Sequence, residues 1–413
     1  MPTIEFDMYQ TLAIAVIMLF FGIIISKKVP FLAKFCIPAP VIGGLVFAIF
    51  TCVCYGLGLV SFTFDDTLRN VCMVFFFTSV GFQANLKVLK KGGVGLFILL
   101  ILVIGMIFCQ NLISIGLSDV LGINRLLGLC TGSIPMIGGH GTAGAFGPVL
   151  EDFGVTGATT VCTAAATFGL IAGSLMGGPL ATRLIERKKL LLTAESSSLD
   201  MAAEEEKIAE ILTGADESDQ SKKTEIKDKL GNYPQAVFQL VIAAGIGTVV
   251  STLLSMCGLT FPIYIGGLIV GVVIRNLSEY TGLFKVHMEE NNNFGSICLS
   301  LFLGIAMITL KLWQLADLAI PMLVLLAAQT VFMFLYARFF IFNAMGRDYD
   351  AAVITAGTCG FGMGATPNAM ANMQAVCNKY VPSVKAFLLI PVVGSLFVDL
   401  FNSLIVTGFI NAL

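Results

Sequence analysis

The sequence contains very few charged residues. Asp, Glu, Lys and Arg make up 12% of its 413 residues, whereas a typical soluble domain contains about 25%. Hydrophobic residue types make up 57%, and one water-soluble core cannot bury that much apolar surface. The chain is therefore predicted to be an all-α integral membrane protein, embedded in the lipid bilayer.

Other scarce features exclude whole classes of function. The chain has two histidines and no Cys/His cluster at metal-ligand spacing, so we expect no cofactor and no resident metal centre. It lacks the GxxxxGK[ST] loop of ATP-driven pumps. Its net charge of −2 argues against a nucleic-acid partner. The 11 cysteines lie mostly in apolar runs without a disulfide pattern, and are predicted to be reduced.

Ten apolar segments could serve as membrane spans, five on each side of a charged stretch. The N-terminus has no basic signal-peptide region, so we expect the first segment to be retained. The charged stretch 183–232 is predicted to be a solvated linker with a candidate short helix at Met201–Leu212. It separates an N-terminal repeat, 1–182, from a C-terminal repeat, 233–413. The segments are 9–26, 38–60, 66–85, 93–117, 155–182, 234–256, 261–275, 293–311, 317–342 and 384–410.

Two further stretches, 125–150 and 349–380, are apolar but interrupted by glycine. The run IGGHGTAGAFGP (137–148) contains five glycines. Glycine costs a helix interior about 1 kcal/mol relative to alanine, so this run is predicted to break any helix that enters it. Each stretch is predicted to be a re-entrant helical hairpin, placed between the fourth and fifth spans of its repeat.

The distribution of positive charge supports these hairpins. If the N-terminus lies outside and 125–150 re-enters, nearly all basic loops face the cytoplasm, as membrane proteins prefer. Lys311 falls outside and is an exception. Both termini are therefore predicted to lie outside and the central linker to be cytoplasmic. In the first half, the inward-facing basic residues are Lys27, Lys28, Lys34, Lys87, Lys90, Lys91, Arg183, Arg187, Lys188 and Lys189.

The two halves resemble each other at an offset of about 224 residues. PAPVIGGLV (38–46) is similar to FPIYIGGLIV (261–270), and Lys87 aligns with Lys311. With five crossings in each half, the second repeat must have the opposite orientation to the first. Inverted repeats whose broken helices meet near the midplane are typical of secondary transporters. In the hairpins, Thr131, Gly138, Thr142 and Ala145 align with Thr355, Gly362, Thr366 and Ala369.

Helix breaks at membrane depth expose main-chain groups that must be satisfied. N–H groups at the start of an outgoing half-helix carry partial positive charge and suit an anionic solute. Pro367 suits the first turn of such a helix. His140 is either a donor or proton carrier in the cavity, or a residue that holds the local backbone. The candidate substrate-binding residues are Gly139, His140, Gly141, Thr142, Gly364, Ala365, Thr366 and Asn368.

A cation site is predicted beside the anion site. Carbonyl groups at the ends of the incoming half-helices, around Ser133 and Thr358, suit a cation. Asp399 and Asn402 lie deep in the last span, in SLFVDLFNSLIV, where a carboxylate is functional by default. Asp399 is expected to bind sodium or the ammonium group of a substrate, or else to form a static hydrogen bond between helices.

Four motifs identify the chain as similar to the bacterial sodium/glutamate symporter family. They are GGHGTAGAF (138–146), LSLFLGIAMITLKLWQL (299–315), GRDYDAAV (346–353) and CGFGMGATPNAMANMQA (359–375). The resemblance covers nearly the whole chain except the linker. It implies an inner-membrane symporter that couples L-glutamate entry to sodium, and a homodimer in which a transport domain slides against a fixed scaffold, as in an elevator.

Three alternatives remain open at this point. A symporter of the same architecture for aspartate, another dicarboxylate or a hydroxy acid is the nearest. An anion channel would use the breaks as a selectivity filter. A membrane enzyme with His140 as its base is disfavoured, because no Ser or Cys nucleophile with a matching acid is evident.

Overall fold

The structure of the chain is almost entirely helical. The computed structural model describes residues 1–35, 37–87, 93–191, 222–256 and 262–413. In the first half it contains α1 (Met8–Lys28), α2 (Pro30–Lys34), α3 (Ala39–Gly56), α4 (Thr67–Gln83), α5 (Gly93–Leu121), α6 (Arg125–Leu129), α7 (Ser133–Met136), α8 (Gly139–Asp152) and α9 (Ala158–Lys188). In the second half it contains α10 (Lys222–Met256), α11 (Ile263–Thr281), α12 (Met288–Ile308), α13 (Ala319–Tyr336), α14 (Phe342–Ala344), α15 (Tyr349–Gly362), α16 (Thr366–Lys379), α17 (Val384–Pro391) and α18 (Val398–Ala412).

Many of these helices are suited to a bilayer. Within the described residues, eight helices are long and apolar enough to cross a membrane, and the bent pair α17–α18 makes a ninth if it counts as one span. The predicted span 66–85 corresponds to α4, which has 17 residues. The class of integral membrane protein is therefore confirmed, and helices occur at all ten predicted spans.

Two short β-strands depart from the all-helical prediction. Strand β1 (Thr3–Phe6) pairs in parallel with β2 (Ser61–Phe64), and Phe6 stacks on Phe64 with ring centroids 5.3 Å apart. Both strands lie outside the apolar runs and are rich in aromatic and β-branched residues, which favour extended pairing. The pairing places the N-terminus and the α3–α4 connection on the same face of the molecule.

The helices form two bundles that pack side by side. The first, here called the six-helix bundle, consists of α1, α3, α4, α10, α11 and α12, which pack against one another. The second, here called the hairpin bundle, contains α5–α9 and α13–α18, with α9 packed on α8, α15 and α16. Both glycine-rich stretches belong to the hairpin bundle, so this bundle holds the predicted site.

Several elements of the two halves of the chain share one spacing. The helices α3 and α11 begin at Ala39 and Ile263, and the two glycine-rich segments begin at Arg125 and Tyr349. Both pairs are 224 residues apart. Packing repeats as well, since α1 packs on α3 as α10 packs on α11, and α4 packs on α11 as α12 packs on α3.

Helices extend into both ends of the predicted linker. α9 continues to Lys188, and α10 begins at Lys222. The candidate helix at Met201–Leu212 lies outside the described residues.

Close helix packing in the six-helix bundle depends on glycine. A Cβ at Gly43 would lie 1.7 Å from the carbonyl oxygen of Met18 in α1. Gly43→Ala is therefore expected to lower the free energy of unfolding by about 3 kcal/mol, because backbone must move to relieve the overlap. Thermal unfolding in detergent measures this loss as a reduced Tm.

The matched control is Gly116→Ala in α5. A Cβ there has no neighbour within 4 Å, so alanine is expected to stabilise the helix by up to about 1 kcal/mol. Equal Tm values for the two variants would contradict the close contact between α1 and α3.

Candidate binding site at the helix breaks

The second glycine-rich stretch folds into two helices that turn back on each other. α15 ends at Gly362 and α16 begins at Thr366, with Pro367 in its first turn as predicted. A Cβ at Gly360 would lie 2.5 Å from the Cα of Ala369, and one at Gly357 would lie 2.9 Å from the sulfur of Met373. These pairings show that α15 and α16 are antiparallel.

The first glycine-rich stretch breaks at different residues from those predicted. The helical segments are interrupted at Cys130–Gly132 and again at Ile137–Gly138. The prediction that 137–148 breaks the helix is wrong for most of its length, because α8 runs from Gly139 through Asp152.

Tertiary packing explains the helix in this run. A Cβ at Gly144 would lie 2.8 Å from the ring of Phe302, and one at Gly147 would lie 2.5 Å from the Cα of Thr159. The absence of side chains lets α8 approach α12 and α9 closely. This packing overrides the low helix propensity of glycine.

The two breaks contact each other. Gly139 has a φ of +58°, and a Cβ on it would lie 2.9 Å from the carbonyl oxygen of Gly364. Gly169 of α9 lies against both breaks, since its Cβ would be 2.2 Å from the carbonyl oxygen of Met363 and 3.4 Å from the sulfur of Met136. The structure therefore brings Gly139, Gly364 and α9 into one place.

Some of the predicted main-chain donors are already paired. The N–H of Thr142 donates to Gly138 O at 3.2 Å, that of Ala365 to Gly360 O at 3.2 Å, and that of Asn368 to Ala365 O at 3.0 Å. The N–H groups that precede the first intrahelical donor are those of Gly139–Gly141 in α8 and of Thr366 in α16. Thr142, Ala365 and Asn368 can therefore reach a ligand only through other atoms.

His140 is tied to the neighbouring helix. It is buried, and its Nε2 lies 3.0 Å from the hydroxyl oxygen of Thr167 in α9. That hydroxyl also lies 3.0 Å from Thr163 O, to which it can donate. The contact between His140 and Thr167 holds the imidazole ring beside the first break.

Only one end of the Asn368 side-chain amide has a hydrogen-bond partner. Its Nδ2 donates to Leu170 O of α9 at 2.9 Å. Its Oδ1 is buried and has no hydrogen-bond partner within the described ranges. A buried amide oxygen without a donor costs about 1–3 kcal/mol, so this oxygen is available to a ligand at the second break.

The four cation candidates are only partly brought together. Asn402 Nδ2 donates to Ser133 O at 3.2 Å, and this carbonyl also accepts from the N–H groups of Ile137 and Gly138. Asn402 Oδ1 is buried without a partner in the described part of the chain. Thr358 is fully buried, and its hydroxyl donates to Ile354 O of its own helix, which does not link it to the other three.

Asp399 lies one turn before Asn402, near the start of α18. It lies two residues after the π-helical turn Val392–Phe397, which separates α17 from α18. Among the described residues, its carboxylate forms no hydrogen bond and no ion pair. It is a half-buried acid at a distortion of the last span.

Two amides of α5 were missed in the sequence analysis. Gln110 Nε2 donates to Gly362 O, the last carbonyl of α15, at 2.9 Å. Asn111 Oδ1 accepts from the N–H of Ser133 at 2.9 Å and from its hydroxyl at 3.0 Å. Adjacent residues of α5 therefore form hydrogen bonds with both glycine-rich segments, at the points where the helices of those segments are interrupted.

Gln329 of α13 extends this buried polar cluster. Its Nε2 donates to Gln110 O and to the hydroxyl oxygen of Ser114, both at 2.8 Å. The signal in the sequence was the pair Gln110–Asn111 inside the apolar span 93–117. Amides within a span are costly unless they pair, and they mark functional or packing contacts.

Asn111→Leu is expected to destabilise the hairpin bundle. The substitution leaves the N–H and the hydroxyl of Ser133 without an acceptor, at a cost of about 1–3 kcal/mol for each buried group. Thermal unfolding in detergent measures this loss as a reduced Tm.

Leu112→Ala is the control for this variant. Leu112 is the next residue of α5 and its side chain is exposed, so we expect nearly unchanged stability. A Tm for Asn111→Leu equal to that of the control would contradict the role assigned to Asn111.

Comparison with known proteins agrees with the motifs. The model of the family described as "Sodium/glutamate symporter" matches residues 4–382. A sodium/glutamate symporter of Haemophilus influenzae is 38% identical over 401 residues, which cover 96% of each chain. One of Escherichia coli is 38% identical over 402 residues, which cover 97% of this chain and 96% of the relative. The resemblance found in the sequence is thus confirmed, and the chain belongs to the sodium/glutamate symporter family.

Proposed function

We propose that the chain is a secondary active transporter that couples the uptake of L-glutamate to the entry of sodium ions. The observation that carries this proposal is the family match over residues 4–382, together with relatives of that name along nearly the full length. Sodium acts as the coupling ion, and the substrate crosses the membrane chemically unchanged. Two interrupted helix pairs that meet inside an apolar bundle suit such a task.

An inverted relation between the two repeats is part of the proposal. α4 and α12 occupy equivalent places in the two repeats and lie side by side. Gln83 Nε2 donates to Asn292 Oδ1 at 3.2 Å, and Ser79 lies against Gly295. These pairings make the two helices antiparallel, which is the orientation that inverted repeats require.

Re-entry of the two glycine-rich segments is the second structural element of the proposal. The antiparallel course of α15 and α16 supports a hairpin that enters and leaves by one face. Labelling of single cysteines by an impermeant reagent tests this, in a background without native cysteines because Cys130 and Cys359 lie inside the two segments. Labelling of both ends of 349–380 from the cytoplasmic side is expected, and labelling from opposite sides would overturn the hairpin.

Glutamate is proposed to bind between the two breaks. Its carboxylates face the N–H groups of Gly139–Gly141 and Thr366, where two helix N-termini supply partial positive charge. The remaining substrate candidates, Thr142, Gly364, Ala365 and Asn368, line the same two breaks with side-chain atoms or close backbone. Sodium, or the ammonium group of glutamate, is proposed to bind among Ser133, Thr358, Asp399 and Asn402.

Elevator-type movement of the hairpin bundle against the six-helix bundle fits the contact between them. Gly141 faces the ring of Phe76, with 3.4 Å between its would-be Cβ and the nearest ring atom, and Gly144 faces Phe302. Residues without side chains against flat rings form a smooth surface along which one bundle can slide. We further propose a homodimer, in which the six-helix bundle is the fixed scaffold.

The proposed location is the bacterial inner membrane, with several spans. Both termini lie outside in this proposal, and the segment between α9 and α10 is cytoplasmic. The pairing of β1 with β2 supports it, because the charge pattern assigns the N-terminus and the α3–α4 connection to the same side.

Uptake of radiolabelled glutamate into proteoliposomes tests the function. With the membrane potential held at zero, an inward sodium gradient is expected to accumulate glutamate above its external concentration, which a channel cannot do. Uptake that persists without a sodium gradient would reject the coupling. Competition by unlabelled aspartate, other dicarboxylates and hydroxy acids distinguishes glutamate from the alternative substrates.

A further inference from the structure

A cavity of about 220 Å³ lies between the two bundles, away from the helix breaks. The six-helix bundle and the segments that follow it contribute Asp66, Arg69 and Lys311 to its wall. The hairpin bundle contributes Glu151, Thr159 and Thr160. Binding sites for small molecules often lie at such junctions between packed units. None of these residues belongs to the proposed binding site.

The cavity contains charged groups of both signs at its wall. Arg69 is 8% exposed, and its guanidinium lies 2.9 Å from Asp66 Oδ2. Lys311 lies on the same wall and is exposed to solvent. Glu151 faces them from the hairpin bundle, where its Oε1 accepts from the N–H of Thr159 at 3.0 Å.

Two buried polar atoms of the wall have unused hydrogen-bonding capacity. Thr159 is 7% exposed, and neither its hydroxyl oxygen nor Asp66 Oδ1 has a hydrogen-bond partner within the described ranges. Burying such atoms costs free energy unless a ligand or water pairs with them. Their presence in a cavity with fixed charges indicates a built polar site.

We propose that this cavity is an entry subsite that binds an acidic amino acid, with two carboxylates and one ammonium group, before the solute reaches the helix breaks. Arg69 and Lys311 bind its carboxylates, since a guanidinium and an ammonium form strong charge-assisted hydrogen bonds to carboxylate oxygens. Glu151 and Asp66 Oδ1 accept from its ammonium group, and the hydroxyl of Thr159 completes the set.

The cavity faces the outer side in the proposed topology. Its β2 residues pair with the N-terminal strand β1, and Lys311 is the basic residue that the charge pattern placed outside. This position explains why Lys311 departs from the preference of basic residues for the cytoplasmic side, because at the outer face a basic residue can bind an entering anion. The inference rests on the proposed function, since it concerns an amino acid that enters from outside.

Transport measured from each side tests the subsite. In sealed right-side-out vesicles, Lys311→Gln and Arg69→Gln are each expected to raise the half-saturating glutamate concentration for sodium-driven uptake about tenfold, the loss of one charge-assisted hydrogen bond. The maximal rate is expected to stay unchanged. In inside-out vesicles, the half-saturating concentration is expected to match that of the wild type.

Lys311→Gln keeps the test independent of folding, because Lys311 is exposed. Arg125→Gln is the matched control, since Arg125 also pairs with an aspartate, with 2.6 Å between its Nε and Asp119 Oδ1, but does not line the cavity. Arg125→Gln is expected to leave the half-saturating glutamate concentration unchanged in both right-side-out and inside-out vesicles.

The outcomes separate the two proposals. The subsite alone would be overturned if Lys311→Gln and Arg69→Gln left the half-saturating glutamate concentration unchanged in right-side-out vesicles. It would also be overturned if that concentration rose equally in right-side-out and inside-out vesicles. Wild-type vesicles that take up no glutamate with sodium would overturn the proposed function, and the subsite with it.

Discussion

Gly139→Ala is expected to lower the rate of sodium-driven glutamate uptake about 100-fold. Gly139 has a φ of +58°, and an alanine held in that conformation costs about 1–3 kcal/mol. The added Cβ would also lie 2.9 Å from the carbonyl oxygen of Gly364, closer than side-chain atoms normally approach. Both costs arise where the two breaks touch, so the added methyl group is expected to push the two breaks apart.

The expected size of the effect follows from these costs. The added methyl group is expected to raise the free energy of the substrate-binding arrangement of the two breaks by about 3 kcal/mol. A cost of this size lowers the rate of uptake about 100-fold. Uptake into proteoliposomes measures the rate, and thermal unfolding in detergent shows whether the variant remains folded. A folded variant with strongly reduced uptake is the expected result.

Gly178→Ala provides the control for an added methyl group. Gly178 lies inside α9, and a Cβ on it would meet nothing within 4 Å. Wild-type uptake is expected for this variant. If Gly139→Ala also transports at the wild-type rate, the contact between the two breaks is not required for transport.

The large-scale helix pattern was predictable because the bilayer constrains it strongly. Apolar segments of spanning length must form helices, since the backbone has no other partner in lipid. The starts of α3 and α11 therefore lie within two residues of the predicted segments. The spacing between the two halves was also visible, because α3 and α11, and likewise the two glycine-rich segments, begin 224 residues apart.

The details at the site were less predictable, since they depend on contacts between distant residues. Glycine propensity indicated a break throughout 137–148, yet Phe302 and Thr159 pack where side chains are missing and keep α8 helical. Likewise, the sequence around Gln110 and Asn111 gives no information on which carbonyl or N–H each amide will meet. Only the folded chain shows that these two residues pair with different segments.

Asp399→Asn is expected to weaken the coupling of transport to sodium. The carboxylate of Asp399 forms no hydrogen bond or ion pair with the residues that the structure describes, and Asn402 Oδ1, one turn later, is also without a partner there. Hard cations such as sodium prefer oxygen ligands. An amide keeps one oxygen but removes the negative charge, so the half-saturating sodium concentration is expected to rise at least about tenfold, which corresponds to about 1.4 kcal/mol.

The same experiment distinguishes the roles considered for Asp399. A raised half-saturating concentration of glutamate, with unchanged sodium dependence, would assign the carboxylate to the substrate's ammonium group. Unchanged values for both would mean that Asp399 is only a structural residue. Glu186→Gln is the control, because Glu186 is an exposed carboxylate that pairs with Lys379 at 3.1 Å. Such surface pairs contribute about 0–1 kcal/mol, so removal of its charge should leave the dependence on sodium and on glutamate unchanged.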